Sequence, residues 1–154
     1  VTRIIVLDAG PLGLLVRSRQ VPIADQCNRW LRALLDHGER VVLPAIAEYE
    51  VRRELVRLNA SGALRRLNAL ANGMEYLALT TPMLRTAAQL WGDLRREGRP
   101  TADPHALDGD VILAAQALSL ASPALPALIA TTNVGHLRRM IAAEEWSAIL
   151  PRAD

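Results

Sequence analysis

An apolar run of four residues, Ile4-Ile5-Val6-Leu7, stops at Asp8, and Ala9-Gly10-Pro11 turns the chain at once. A short β-branched run with no polar alternation reads as a strand buried on both faces, as in parallel sheets. The pattern therefore predicts a central strand over 3–8. That strand delivers a carboxylate to the carboxyl edge of the sheet, where open α/β sheets bind ligands.

The rest of the chain alternates. Arg40 to Leu43 reads as a second strand ended by Pro44, Tyr76 to Leu79 as a third and Leu125 to Thr131 as a fourth. Trp146 to Leu150 reads as a final edge strand. Helical patterns lie between them. The first runs from Gly10 to Arg17, with Pro11 in its first turn. Asp25 is a candidate cap for the next, with Cys27, Trp30, Leu31, Leu34 and Leu35 on one face and His37-Gly38 closing it. Pro44 opens a helix to about Asn59, with a stripe of Ala47, Val51, Leu55 and Leu58. Ser61-Gly62 breaks it, and Leu64 to Ala71 is another. Thr81 to Arg96 turns Leu84, Ala87, Ala88 and Trp91 inward. A polar loop over 98–106, containing His105, reads as an ordinary connection or a substrate flap. A helix from Gly109 to Leu120 and a short one over 136–140 complete the set. Strand–helix alternation predicts a three-layer α/β/α sandwich. Its sheet is mainly parallel, four- to five-stranded, with right-handed crossovers, in a single domain over 1–154.

Composition narrows the function. Phe is absent and other aromatics are scarce, so Leu, Ile, Val and Ala must build the core. The net charge of +2 gives no polyelectrolyte signal. Every cation is Arg, with no Lys. Arg grips phosphates through a planar fork, but a codon bias toward Arg is the better explanation of the count, which alone is weak evidence for nucleic acid. A lone Cys27 excludes an internal disulfide and a Cys-rich zinc site, and fits a reducing cytoplasm. Asp8 interrupts the first apolar run too early for a secretory signal. Val111 to Leu137 carries no acid or Arg and is long enough to span a bilayer. Gln116, Ser119, Ser122, Pro123 and Pro126 instead divide it into a buried helix, a loop and a strand. Gly10 and Gly13 lack the spacing of a dinucleotide loop.

The chemistry then rests on the acids. Asp8 suits a helix N-cap, and also a metal, since one oxygen can cap while the other coordinates. Glu54 is accounted for by pairing with Arg neighbours along its helix. Glu50 sits beside the apolar stripe and points to a cleft. Glu48 lies roughly 200° around the helix from it, so only one of the two can share that cleft with Asp8, and Glu50 is the choice. Asp108-Gly109-Asp110 opens a helix. A cap plus a charge complementing the helix dipole accounts for one Asp better than for both. Ala114 and Ala117 follow Asp110 on its face and let that helix approach the sheet. Asp110 is therefore assigned to the site, and Asp108 to the cap or to an outer supporting role. Asn133 either caps the short helix that follows or holds a metal-bound water. Hard oxygen ligands without Cys or paired His favour Mg²⁺, with Mn²⁺ as a substitute, over zinc. Such an ion binds phosphates and stabilises charge on a phosphoryl oxygen.

Four pieces in order resemble the PIN-domain ribonucleases, in particular the VapC-type toxins of bacterial toxin–antitoxin pairs. They are Leu7-Asp8-Ala9-Gly10-Pro11-Leu12, then 44–53 with Glu50 at the acid, then 110–117 led by Asp110. The last is Thr131-Thr132-Asn133-Val134-Gly135-His136-Leu137, with Thr131 and Asn133 in the polar positions. The resemblance implies a PIN-like fold and Mg²⁺-dependent endoribonuclease activity on RNA. It also implies a homodimer and inhibition by a small antitoxin. Asp8 and Asp110 would then bind the ion, Glu50 would bind it through water or orient the attacking water, and Thr131 and Asn133 would hold its hydration shell. Arg52, Arg53 or Arg96 would grip phosphates. Two departures stand out: Asn133, where some relatives carry an acid, and Thr132, where relatives often carry Arg. The alternative is a PIN-like binding or assembly module without turnover. A haloacid-type phosphatase ranks lower, because Gly10 stands where its second Asp is needed. Trp30 and Trp91 read as core or dimer contacts.

Overall fold

The computed structural model describes residues 1–98 and 104–152. The opening run forms β1 (Ile4–Leu7), and all four residues are buried. After it come α1 (Ala9–Val16), α2 (Pro22–Asp36), β2 (Arg40–Pro44), α3 (Ala45–Arg57), α4 (Ser61–Gly73) and β3 (Glu75–Leu77). The chain continues with α5 (Thr81–Arg96), α6 (Pro104–Leu120), β4 (Ala127–Thr131) and β5 (Ala143–Glu145), with short 3-10 turns over 137–139 and 146–148.

The sheet is five-stranded, ordered β3-β2-β1-β4-β5, and every pairing is parallel. β1 lies at the centre because it is apolar on both faces. Ile5 and Leu7 join Leu12, Val16, Leu31 and Leu34 on one side, against α1 and α2. Ile4 and Val6 join Leu113, Ala117 and Ile129 on the other, against α6. Successive strands step outward one way from β1 to β3, then return to its other side for β4. The point where the order reverses, between β1 and β4, is where a crevice opens beyond the strand ends.

Several boundaries moved for local reasons. α2 starts at Pro22, with Val21 as its N-cap, so Asp25 does not cap. Asp25 stands in the first turn and pairs with Arg29 at 3.1 Å. Gly38 closes α2 with φ +76°, a conformation costly for any residue with a Cβ. Ser61-Gly62 begins α4 rather than breaking α3. The last strand is Ala143–Glu145, and Trp146 folds over as a 3-10 turn. Its ring meets Trp30 edge-on at 5.5 Å, and Trp30 Nε1 donates to Ile149 O at 2.9 Å. Trp30 is therefore a core residue. Cys27 is buried beside them, and burial pushes its thiol up to about 12.

α5 differs most in its inward face. Met83, Ala87 and Leu94 are buried, whereas Leu84 and Ala88 are exposed. The helix packs onto α6, through Leu107, Val111 and Ala115, and that contact selects a face rotated from the expected one. Among the described residues, no helix is long and apolar enough to cross a membrane.

Candidate active site

Asp8 follows β1 directly and caps α1. Its Oδ1 accepts from Ala9 N at 2.7 Å. Its Oδ2 accepts from the Thr131 hydroxyl at 2.8 Å. Thr131 ends β4, is 1% exposed, and its Oγ1 accepts in turn from Asn133 N at 3.1 Å. Two adjacent parallel strands thus fix one carboxylate at the reversal of the sheet order. Asp8 thus caps α1 through one oxygen, while the other is held by Thr131.

α3 begins immediately after β2 with no intervening loop, so its first turns lie over the same sheet edge. Val51 and Ala47 pack toward α1, and Ile46 toward α6. Glu50 lies between these contacts and is drawn over the crevice. Gln116 of α6 sets the position of α3. It is fully buried, its Oε1 accepts from Ile46 N at 3.0 Å, and its Nε2 donates to Leu77 O at 3.0 Å. One amide therefore ties α3, α6 and the end of β3 together. A polar residue in an apolar helix was visible in the sequence, but its partners were not.

Asp110 reaches the same edge from α6. A Cβ on Gly109 would stand 3.1 Å from Glu50 Oε1, so a larger residue there would press on the end of the Glu50 side chain. Asp8, Glu50 and Asp110 feel one another's charge. Burial pushes the Asp8 carboxyl above its ordinary range, and the bonds from Thr131 and Ala9 oppose this. Burial raises Glu50 as well, reinforced by Asp8 and Asp110 and opposed by Arg53. Asp110 is pushed up to about 6, by burial first and by Asp8 second, with His136 opposing. Among the described residues, no three acids, imidazoles or thiols are placed together so that they could hold a metal ion by themselves. The donors of these three side chains are all oxygens, and their mutual repulsion is opposed by Arg53 at Glu50 and by His136 at Asp110. This suits a hard divalent ion that keeps several of its waters.

Other expected residues lie elsewhere. Asp108 does not cap, because α6 already begins at Pro104. It is exposed and lines a groove of about 360 Å³ with Leu84, Trp91 and Val111, between α5 and α6. A separation of two residues, roughly 200° of helix, explains why Asp108 and Asp110 part company. Residues 104–106 belong to α6 rather than to a loop, and 99–103 lie outside the described residues, as does the side chain of His105. Glu48 turns away, accepting from Arg52 at 2.8 Å and from the Tyr76 hydroxyl at 3.1 Å. Arg52 is thereby committed, with a further bond to Asn68 at 2.7 Å. Arg96 pairs with Asp93 at the far end of α5. Of the three candidate phosphate-binding arginines, Arg53 alone stands beside the site, 4.0 Å from Glu50 Oε2. Asn133 makes no cap: the turn over 137–139 has His136 as N-cap, with no side-chain bond.

Gly10 stands in the first turn of α1. A Cβ there would come within 2.3 Å of Thr132 Oγ1 and 2.9 Å of Thr132 Cβ. Thr132 therefore packs against the first turn of α1, where the resemblance suggests an Arg in other chains. Gly10→Ala is expected to cost about 1–3 kcal/mol through overpacking. A thermal melt checks this, and an unchanged midpoint would show that the contact is loose.

The family model of the PIN domain matches residues 5–139. A search of curated proteins finds no match. Among solved structures, the chain is similar to VapBC2 from Rickettsia felis, bound to a DNA fragment from its promoter. The identity is 12%, covering 93% of this chain and 98% of that one, with a TM-score of 0.68. It is similar to FitAcB from Neisseria gonorrhoeae at 21% identity, covering 94% and 99%, with a TM-score of 0.65. It is also similar to VapBC-1 from nontypeable Haemophilus influenzae at 22% identity, covering 94% and 98%, with a TM-score of 0.63. At these identities the likeness is one of fold. The family model spans most of the sequence and includes Asp8, Glu50, Asp110 and Asn133, so this chain belongs to the PIN-domain family.

Proposed function

We propose that the protein is a metal-dependent endoribonuclease, acting as the toxin of a toxin–antitoxin pair in the cytoplasm, as a homodimer held inactive by a small antitoxin. The observation that carries the catalytic part is the mutual repulsion of carboxylates from β1, α3 and α6 near the β1–β4 crevice, which raises Glu50 and Asp110 even with Arg53 and His136 opposing. Structural neighbours that are VapBC and FitAcB assemblies support the toxin and antitoxin part.

Asp8 and Asp110 would hold Mg²⁺ or Mn²⁺, and Glu50 would complete the set directly or through water. The cation, when bound, supplies Lewis-acid stabilisation of charge on the phosphoryl oxygen. Thr131 holds Asp8 in one rotamer by donating to Oδ2. Burial and the neighbouring Asp8 and Asp110 raise the Glu50 carboxyl above its ordinary range, which makes its carboxylate a better proton acceptor, and it would orient an attacking water. Asn133, beyond Thr131, would steady the hydration shell. Arg53 would meet a backbone phosphate and position the strand.

The test is cleavage of purified single-stranded RNA with Mg²⁺, with chelator, and by Asp8→Asn. Equal cleavage in all three arms would remove the catalytic assignment. Calorimetric titration with Mg²⁺ addresses the non-catalytic binding module, which has no need of the ion. Thr131→Val removes the hydroxyl that orients Asp8 and keeps the shape. It is expected to lower the rate roughly 10–100-fold, as loss of an outer hydrogen-bonding partner does at metal sites. A Thr131→Ser variant should recover most of that loss in the same assay.

A further inference from the structure

Aromatic rings are few in this chain, and most have a structural use. Trp30 and Trp146 pack against each other in the core. Tyr76 is tied through its hydroxyl to Glu48. Trp91 lines the groove between α5 and α6, beneath the Arg95 guanidinium. Tyr49 stands apart. It is 58% exposed, the most exposed aromatic among the described residues, and its hydroxyl has no partner there.

Its position is informative. Tyr49 immediately precedes Glu50 on α3. The Arg53 guanidinium lies 5.3 Å from the centre of its ring, and Arg53 Nη2 lies 4.0 Å from Glu50 Oε2. Arg53 also lines the cleft that Ala9, Gly10 and Glu50 share. Ring, cation and carboxylate are therefore contiguous along one helix, and a single guanidinium separates the ring from the site. An exposed aromatic next to a phosphate-binding Arg is the pairing by which proteins hold unpaired nucleotides, the ring taking the base and the cation the backbone. A solvated helix face needs no aromatic at this position.

We infer that Tyr49 and Arg53 form a stacking subsite for an unpaired base of single-stranded RNA, belonging to a nucleotide at or beside the phosphate held near Glu50. This rests on the nuclease reading for the identity of the strand. Tyr49 is a binding residue in this scheme, and Arg53 joins base to phosphate. Double-stranded RNA, whose bases are already stacked, gains nothing from the ring.

The experiment uses a short single-stranded RNA carrying 2-aminopurine, with Ca²⁺ in place of Mg²⁺ and the length of the RNA checked after each titration. Fluorescence quenching reports stacking, and its titration reports affinity. Wild type and Tyr49→Phe should quench alike. Tyr49→Leu should lose the quench and bind about tenfold more weakly. With cleavable RNA and Mg²⁺, Tyr49→Leu should raise KM about tenfold with kcat nearly unchanged. Affinity for duplex RNA should not move. Equal quenching and equal KM in wild type and Tyr49→Leu would overturn the subsite, leave the nuclease reading intact, and return the ring to a protein partner. A wild type that binds no single strand would overturn the subsite and count against the nuclease reading as well. A Tyr49-dependent quench in a protein that cuts no RNA would support the subsite while the nuclease reading failed.

Discussion

Asp110→Asn and Asp8→Asn are each expected to lower RNA cleavage by about 10²–10⁴-fold, while leaving the fold intact. The magnitude follows from losing about 3–5 kcal/mol of charge stabilisation at the transferred phosphoryl group, at tenfold per 1.36 kcal/mol. Each change is nearly isosteric. Asn at position 8 retains an oxygen to accept from Ala9 N, the bond that caps α1. Asn at position 110 leaves the contact between α6 and Ile46 untouched, because Gln116 makes it. Both variants should therefore melt no lower than wild type without metal, and Asp110→Asn should melt higher. It removes a buried charge that Asp8 repels. Single-turnover rates and melts in chelator decide the matter together. A variant that loses both activity and stability would place its acid in the framework rather than in the chemistry.

The metal-free protein is expected to lose stability as pH rises from about 4 to above 6, and added Mg²⁺ should restore it at neutral pH. Asp110 releases its proton near 3.8 in the unfolded chain but only at about 6 in the folded one. Between those values the unfolded state has lost a proton that the folded state still holds. Stability therefore falls as pH rises, and the loss is complete once the pH passes the folded value. Asp8 and Glu50 shift in the same direction and add to it. The gap at Asp110 alone corresponds to about 3 kcal/mol, which water access to a half-buried group reduces to on the order of 1–2 kcal/mol. An ion bound only by the folded state at ten times its Kd returns about 1.4 kcal/mol. Melting midpoints over this range, with chelator and with Mg²⁺, read the effect. A midpoint that climbs with pH in chelator would mean that the three charges do not share a site.

Much of this was legible from residue order alone. The run 4–7 could only be a buried central strand, because it has no polar face, and it necessarily carries Asp8 to the strand's end. Helix periodicity placed Glu50 apart from Glu48 and Asp110 apart from Asp108, since angle around a helix depends on spacing and nothing else. The parallel layered fold followed from strand–helix alternation. Tertiary structure alone decided which surfaces meet. The clamp of Gln116 on Ile46 and Leu77, the fit of Thr132 over Gly10 and the opening at Gly109 join residues 39 to 122 positions apart. No local period encodes such contacts. The same is true of Arg53 rather than Arg52 at the site, because Glu48, Asn68 and Tyr76 from three elements hold the Arg52 side. It also holds for the rotated face of α5, which α6 selects by packing against it. Backbone periodicity sets the direction of a side chain from its own helix, and only the packing of neighbouring elements sets what it meets.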